Sequence, residues 1–195
     1  MPNENDLQSV LIVSKTDKPI EFIKEVLPKN DFYPILSAAN AGEAKRALIN
    51  SDVDIVIINT PLGDDFGMRL AIDIVTERKA GVLLLVKTEL YEEVSYKMEQ
   101  YGVLTLTKAL NRTTLYQTVK LLSATSNKIR RLEENAQRLE KRLHEMKTVN
   151  KAKGYLIEFE GLTEEEAHKF IEKDAMDNCI RKIDAAKKII DKYEF

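Results

Sequence analysis

The stretch DVDIVIINTPLG, residues Asp52–Gly63, decides the fold class of this chain. Val53 and the run Ile55–Ile58 are almost continuously β-branched, which suits a strand that is covered on both faces better than a strand with one solvent-exposed face. Asn59 ends the run, and Thr60–Gly63 predicts a turn. Strands buried on both faces belong to parallel sheets, where chemistry collects just beyond the carboxyl ends of the strands. The stretch therefore raises a question, because its strand ends on a neutral amide where a reactive group is expected.

Similar apolar runs lie on both sides of this stretch and alternate with amphipathic segments up to Leu122. The predicted strands are Ser9–Val13, Tyr33–Leu36, Asp54–Ile58, Val82–Val86 and Val103–Leu106. The predicted helices lie near Pro19–Leu27, Asn40–Ile49, Gly67–Arg78 and Leu90–Tyr101, and a fifth begins near Arg112. Five strands alternating with helices predict an α/β domain over residues 8–122, with a five-stranded, parallel, doubly wound sheet.

The fifth helix has no evident stop, because no Pro or Gly occurs between Gly102 and Gly154. Within it, apolar residues recur at alternating spacings of three and four, as at the a and d positions of a coiled coil. These residues are Ile129, Leu132, Ala136, Leu139, Leu143 and Met146. So narrow a stripe favours a two-stranded coiled coil over a solvated helix laid on the first domain, and residues 123–147 are predicted to form a dimerisation helix. An antiparallel pair or a trimer stays open for so short a repeat.

Residues 148–195 are predicted to form three helices around a small core. The first continues the coil and ends at Gly161, and the second begins after Thr163, whose hydroxyl can form a capping box with Glu166. The apolar face predicted for the second helix comprises Ala167, Phe170, Ile171, Ala175 and Met176. The third helix is predicted from about Cys179, with an inner stripe of Cys179, Ile183, Ala186, Ile190 and Tyr193.

Composition limits the classes of protein to consider. A single cysteine, Cys179, excludes an intramolecular disulfide. The chain has in addition only two histidines, which are isolated in the sequence, and so few ligands argue against a zinc site. The N-terminal residues are polar, and no apolar run approaches the roughly 20 residues of a membrane span. We therefore predict a cytoplasmic protein without metal, cofactor or membrane partner.

Charge is strongly segregated along the second half of the chain, although the formal net charge is only −2. Lys128–Lys153 contains nine Lys/Arg against four Glu, and Asn178–Lys192 contains five Lys/Arg against two Asp. Between them, Glu158–Asp174 contains seven acids against two lysines. An anionic partner therefore remains compatible with the composition, provided that the basic segments share a face.

The C-terminal segment resembles the ANTAR domain, the RNA-binding output module of transcription antiterminators. The resemblance rests on Ala152-Lys153-Gly154, then Gly161-Leu162-Thr163 leading to Glu166-Ala167, then Ala175-Met176-Asp177, in the order and spacing of the family. It implies a three-helix bundle that recognises paired stem-loops in nascent transcripts and so favours the antitermination structure over the terminator hairpin. One departure concerns the third helix, where Lys182 and Ala185 stand at positions that are usually apolar in the family.

Unstacked loop bases and phosphates are the readable parts of such an RNA, and phosphates call for Lys and Arg. The predicted RNA-binding residues are Lys151, Lys153, Gly154, Arg181, Lys182, Lys187 and Lys188. Lys153 is the foremost of them, because it lies inside the Ala-Lys-Gly motif. A glycine at position 154 destabilises the helix, so its presence needs a reason. Our preferred explanation is close packing of another helix, and the second is close approach of another molecule to the backbone. Tyr155 is expected to pack rather than to stack on a base.

The first domain resembles a response-regulator receiver domain in strand order, length and its Lys108, which implies a flavodoxin-like fold. A working receiver carries a phosphoacceptor aspartate after the third strand, an acidic pair after the first, Thr or Ser after the fourth and Lys after the fifth. The corresponding residues here are Asn59, Ser14 with Lys15, Val86 and Lys108, and Ala109 replaces the usual proline. An amide is not a nucleophile for an acyl phosphate, and Mg²⁺ requires hard anionic oxygens. The sequence thus predicts a pseudo-receiver that aspartyl phosphorylation does not switch.

These observations favour a dimeric, non-enzymatic, RNA-binding antitermination regulator with a degenerate receiver. Two alternatives are a phospho-switched response regulator, against which Asn59, Ser14 and Val86 count, and a coiled-coil adaptor without RNA activity, against which the ANTAR motifs count. Asp17, Asp64 and Asp65 lie near the degenerate site, where turn-forming and solvated roles are expected. The input that replaces phosphorylation stays open between a regulatory protein on the receiver-like domain, a small ligand there and a constitutively active dimer.

Overall fold

The first part of the chain is an α/β domain around a five-stranded sheet. The computed structural model describes residues 7–78, 80–109 and 111–194. The strands are β1 (Gln8–Ser14), β2 (Phe32–Ala38), β3 (Ile55–Asn59), β4 (Gly81–Val86) and β5 (Leu104–Thr107). All neighbouring strands are parallel, in the order β2-β1-β3-β4-β5. This arrangement confirms the predicted doubly wound sheet and has the flavodoxin-like strand order.

The described residues form seven α-helices. They are α1 (Asp17–Val26), α2 (Ala41–Asn50), α3 (Met68–Glu77), α4 (Tyr91–Glu99), α5 (Arg112–Glu160), α6 (Glu164–Asp177) and α7 (Lys182–Tyr193). Helices α2, α3 and α4 pack on one face of the sheet, whereas α1 and the first part of α5 pack on the other. Both faces are therefore covered, as parallel sheets require.

Strand β3 shows why the β-branched run of the opening stretch forms a central strand. All five of its residues are buried, and their side chains alternate between two cores. Val56 and Ile58 contribute to the core beneath α2, α3 and α4, whereas Ile55 and Ile57 contribute to the core beneath α1 and α5. Because every position meets apolar neighbours, the strand needs no alternation of polar and apolar residues.

The chain divides into two compact units, one up to Arg130 and the other from Arg131. The 49-residue helix α5 contributes to both of them. Polar contacts fix its first part to the amino ends of the strands: Arg130 Nη1 donates to Asp54 Oδ1 at 3.0 Å, and Ser123 Oγ donates to Gln8 Oε1 at 2.9 Å. No Gly or Pro interrupts α5 before Gly154, in agreement with the prediction of a continuous helix.

The C-terminal unit is a small bundle in which α6 and α7 pack against the end of α5. Its core contains Ala152, Leu156, Ala167, Ile171, Ala175, Ala185, Ala186, Ile189 and Ile190. Helix α6 begins with the predicted capping box, in which the Glu166 amide donates to Thr163 Oγ1 and the Glu166 carboxylate accepts from the Thr163 amide. The predicted apolar face of α6 was wrong at Phe170 and Met176, which are exposed because Ala167, Ile171 and Ala175 alone face the core.

The predicted start of the third helix at Cys179 was also wrong. Cys179 is exposed and adopts a left-handed conformation with φ 53°, and α7 begins three residues later, at Lys182. The Cys179 amide donates to the Met176 carbonyl at 3.1 Å and the Ile180 amide donates to the Ala175 carbonyl at 2.9 Å, which is the Schellman pattern of a helix end. Glycine usually takes this position, and because a cysteine takes it here, the sequence does not indicate that a helix ends.

Candidate functional site

A groove of about 640 Å³ opens on the C-terminal unit between the last third of α5, the middle of α6 and the start of α7. Its lining residues are Arg142, Glu145, Met146, Val149, Asn150, Lys153, His168, Arg181, Lys182 and Ile183. Met146, Val149 and Ile183 give the groove an apolar part, and four Lys/Arg side chains give it a positive rim. The groove thus combines apolar contact area with phosphate-binding groups on one surface.

Three of the predicted RNA-binding cations lie together in this groove: Lys153, Arg181 and Lys182. Sequence reasoning missed Arg142, Asn150 and His168. Arg142 and Asn150 share a face of α5 with Lys153, so helical periodicity counted backward from the Ala-Lys-Gly motif was the signal that could have found them.

The remaining predicted cations lie outside the groove. Lys151 pairs with the Glu194 carboxylate and lies 5.9 Å from the centre of the Tyr155 ring. Lys188 lines a second groove of about 380 Å³ that also contains Phe170, whereas Lys187 is exposed on α7. Tyr155 packs against Phe159 and Tyr193, with ring centres 5.9 and 6.0 Å away. This aromatic cluster agrees with the packing role expected for Tyr155.

Acidic partners already hold three of the groove cations. Lys153 Nζ lies 3.0 Å from Glu164 Oε1, Arg181 makes two hydrogen bonds to Asp184, and Lys182 donates to Glu172. The hydrogen bond from Lys182 lowers the pKa of Glu172, and that from Arg181 lowers the pKa of Asp184. Exposed ion pairs contribute little to stability, so an incoming phosphate can replace these carboxylates at small cost. The Lys153 side chain is the least accessible of the three, at 15% exposure.

Gly154 contradicts the expectation of close helix packing. It is exposed, and a Cβ added to it would meet no atom within 4 Å. No packing of the described residues therefore requires a glycine here, although glycine weakens the middle of α5. The second explanation, close approach of another molecule to the backbone, remains a prediction.

The carboxyl end of β3 has the architecture of a receiver site with neutral residues. Ser14 and Asn59 end neighbouring strands in register, and Asn59 Nδ2 donates to Ser14 Oγ at 3.0 Å. The Ser14 hydroxyl in turn donates to the Thr16 carbonyl at 2.9 Å. Both side chains are buried, so these bonds satisfy groups that have little access to water.

The other residues predicted for the degenerate site lie at the ends of the neighbouring strands β4 and β5. Val86 is fully buried at the end of β4, and its carbonyl accepts from the Lys108 amide at 2.7 Å. The Lys108 ammonium donates to the Thr60 carbonyl, directly after Asn59. Partial desolvation lowers the pKa of Lys108, and the positive charge of Lys87 lowers it further.

The carboxylates of Asp64 and Asp65 near this site accept hydrogen bonds from backbone amides. Asp64 accepts from the amides of Ala41 and Gly42 at 3.0 and 3.1 Å, and chiefly the bond from Ala41 lowers the pKa of Asp64. Asp65 accepts from the Gly67 amide at 2.8 Å. Within the described ranges, no group of three or more His, Cys, Asp or Glu side chains is arranged to hold a metal ion.

The predicted dimerisation stripe lies on the solvent-facing side of α5. Ile129, Leu132, Leu139, Leu143 and Met146 are between 52% and 63% exposed, and Ala136 is also exposed. Met146 belongs to both the stripe and the groove. Asn150 and Lys153 continue the same spacing of four and three residues, so the groove begins where the stripe ends.

Comparison with known proteins decides the nature of the C-terminal unit, since residues 137–190 match the ANTAR domain family. The C-terminal unit is therefore similar to ANTAR domains. The match covers the groove residues from Arg142 to Ile183. The transcriptional regulatory protein PdtaR of Mycobacterium tuberculosis, in strains CDC 1551 and H37Rv, is 26% identical over 155 residues, 80% of this chain and 76% of PdtaR.

Solved structures match the first unit of the chain. A signal receiver domain of an HD domain-containing protein from Pseudomonas fluorescens Pf-5 has a TM-score of 0.59 at 18% identity, over 67% of this chain and 97% of that one. A CheY-like receiver domain protein from Methanospirillum hungatei JF-1 has a TM-score of 0.57 at 20% identity, over 63% of this chain and 98% of that one. The first unit therefore has the response-regulator receiver fold. No helix in the described parts of the chain is both long and apolar enough to span a membrane.

Proposed function

We propose that this protein is an RNA-binding transcription antitermination regulator of the response-regulator type. The observation that carries the proposal is the coincidence of the ANTAR match with a groove that has cationic and apolar walls. The similarity to PdtaR, a transcriptional regulatory protein, extends over most of both chains and supports the same role. The proposed RNA ligand is a pair of stem-loops in a nascent mRNA leader in the cytoplasm.

The chemistry of the groove supports recognition of an RNA loop. Bases in a terminal loop are unstacked, so one of them can turn toward Val149 and Ile183 while the adjoining phosphates meet Arg142 and Lys182. A helical stem offers no such base, because its deep major groove excludes side chains. The groove therefore favours loops over stems.

The receiver-like domain is proposed to act without aspartyl phosphorylation. Asn59 offers an amide where a carboxylate nucleophile is needed, and its side chain is already bonded to Ser14. Lys15 brings a positive charge to the position where a magnesium site requires an acid. Val86 has no hydroxyl to sense a phosphoryl group.

The exposed stripe of α5 is proposed to pair with the same stripe of a second copy. Its members are large apolar side chains that the protomer leaves mostly exposed. A row of such residues at a and d positions, between charged neighbours, matches the interface of a coiled-coil dimer. The dimer supplies two ANTAR domains for two stem-loops.

The experiment that tests this function measures RNA binding by electrophoretic mobility shift. We expect salt-sensitive binding to RNA with two adjacent stem-loops, and we expect Lys153→Ala to weaken it by at least about tenfold, since one charged contact is worth about 1.5–3 kcal/mol. Lys169→Ala is the matched control, because Lys169 also pairs with a glutamate on this unit but lies outside the groove. Equal binding of scrambled RNA would refute the proposal.

A further inference from the structure

Three lysines follow directly on the carboxyl ends of three parallel strands. Lys15 follows β1, Lys87 follows β4 and Lys108 follows β5. Parallel strands end at one edge of the sheet, so all three lysines emerge beside the degenerate receiver site. Lys15 and Lys87 take positions to which the receiver resemblance assigns no lysine.

The side chain of Lys108 brings its charge to the centre of this edge. Its ammonium donates to the Thr60 carbonyl, so it reaches from β5 across β4 to the residue that follows β3. Thr60 adjoins Asn59, whose amide is 3.0 Å from Ser14 Oγ, and Lys15 is the next residue after Ser14. The Lys108 charge therefore lies beside Asn59, and the backbone of Lys15 begins at the neighbouring strand end.

Among the described residues, these three lysines form no close ion pair, although Asp17, Asp64 and Asp65 lie in nearby segments. Neither Lys15, Lys87 nor Lys108 forms an ion pair within 4.0 Å with a described carboxylate. The acids of the adjacent loop are engaged, since Asp64 accepts from the amides at the start of α2 and Asp65 accepts from the Gly67 amide. Burial lowers the pKa of Lys108 most, and the positive charge of Lys87 lowers it further. Positive charges that lie close together raise the local concentration of anions.

We propose that this edge of the sheet reversibly binds a phosphate group, free or carried by a small molecule. Three ammonium groups carry more than enough positive charge to neutralise a phosphate dianion, and lysine binds phosphate as a point charge without demanding one geometry. The second N–H of the Asn59 amide remains to donate to it, because only one N–H is used by Ser14. The lysines replace the metal ion in neutralising the ligand, so the site needs neither Mg²⁺ nor a nucleophile. The inference concerns the input of the protein and does not rest on RNA binding.

The test is a titration of the ¹⁵N-labelled full chain, followed by NMR, with inorganic phosphate and separately with ribose 5-phosphate. Sodium chloride at matched ionic strength is the reference. We expect saturable shifts of the Ser14, Lys15, Asn59 and Lys87 amides, which reverse on dialysis because no covalent bond forms. Lys87→Gln and Lys108→Gln are each expected to raise the dissociation constant by at least about fivefold, through the loss of a charged contact.

Lys29→Gln is the matched control, because Lys29 is an exposed lysine of the same unit that precedes β2 at the opposite edge of the sheet. It is expected to bind like the wild type. Tenfold tighter binding of ribose 5-phosphate assigns the site to a phosphorylated small molecule, and equal binding assigns it to free phosphate.

Absence of saturable shifts, shifts reproduced by chloride, or unchanged affinity in Lys87→Gln would each overturn the proposal. Lys87 has an exposed side chain, so its variant keeps the test valid if Lys108→Gln fails to fold. RNA binding, measured on the same samples, separates a failure here from a failure of the proposed function.

Discussion

Asn59 is the residue on which the regulatory interpretation depends, and its environment predicts what restoring the acid would do. We expect Asn59→Asp to remain unlabelled by acetyl phosphate in the presence of Mg²⁺. A carboxylate at this position still lacks the acidic pair that holds the metal, because Ser14 and Lys15 replace it. It also loses the amide N–H that donates to Ser14 Oγ. Intact-mass spectrometry checks the outcome.

The control for this experiment is Asn59→Ala, which removes the amide without adding a carboxylate. A phosphoryl group that appears on Asn59→Asp but not on Asn59→Ala would mean that the site needs only its nucleophile. The degenerate interpretation would then be wrong, because the other substitutions would not prevent the chemistry.

Gly154 gives the second prediction at the residue scale. We expect Gly154→Ala to stabilise the protein by about 0.5–1 kcal/mol, since alanine favours a helix and its Cβ meets no atom within 4 Å. The same substitution is expected to weaken RNA binding, because the added methyl group lies where the RNA backbone approaches. Urea denaturation and the mobility shift measure the two effects.

Gly102→Ala is the control for the conformational part of this argument. Gly102 also has open space around it, but its φ of 73° disfavours alanine, so its substitution is expected to destabilise the protein. If Gly154→Ala left RNA binding unchanged, the glycine would have no role in recognition.

At the scale of elements, the stripe on α5 predicts how the protein assembles. Leu139 is 62% exposed in the protomer, and burying it against a second copy contributes about 1.5–3 kcal/mol for each chain. We therefore expect Leu139→Ser to raise the dissociation constant of the dimer by at least about tenfold. Sedimentation equilibrium of the full chain checks this expectation.

Gln137→Ser is the matched control, since it places the same residue two positions away, off the apolar stripe of the same helix. The wild type and this control are expected to sediment as dimers. A Leu139→Ser variant that dimerised as tightly as the control would show that the stripe is not the interface.

The helices and strands also show which features the sequence could predict. Short apolar runs located all five strands to within two residues, and the signal was clearest in β1, β3 and β4, which are buried throughout. Phe170 and Met176 were misplaced, because three smaller side chains, Ala167, Ile171 and Ala175, suffice to close the core of so small a bundle. The start of α7 was predicted three residues too early, because Cys179 adopts the conformation that usually marks a glycine at a helix end.

The candidate groove was predictable only in part, because its residues are brought together by tertiary contacts between helices. Lys153, Arg181 and Lys182 were chosen individually for their charge and their place in or near a motif. His168 joins them only because α6 folds back against α5, which is a tertiary relation that no local spacing encodes. Lys151 was separated from them because a lysine two residues away on a helix faces another side.

For the whole molecule, the proposed dimer and the groove together predict a preference for two stem-loops over one. Each protomer carries one copy of the groove that contains Lys153, so a dimer engages a second loop at the effective concentration set by the RNA that joins the loops. We expect the two-loop RNA to bind the wild type at least about a hundredfold more tightly than a one-loop RNA. In Leu139→Ser this advantage is expected to disappear, whereas affinity for a single loop stays the same, because Leu139 lies outside the groove. The measurement is the affinity of each protein for both RNAs, at protein concentrations below those at which the variant dimerises. A monomeric variant that kept the full two-loop preference would mean that one ANTAR domain reads both loops.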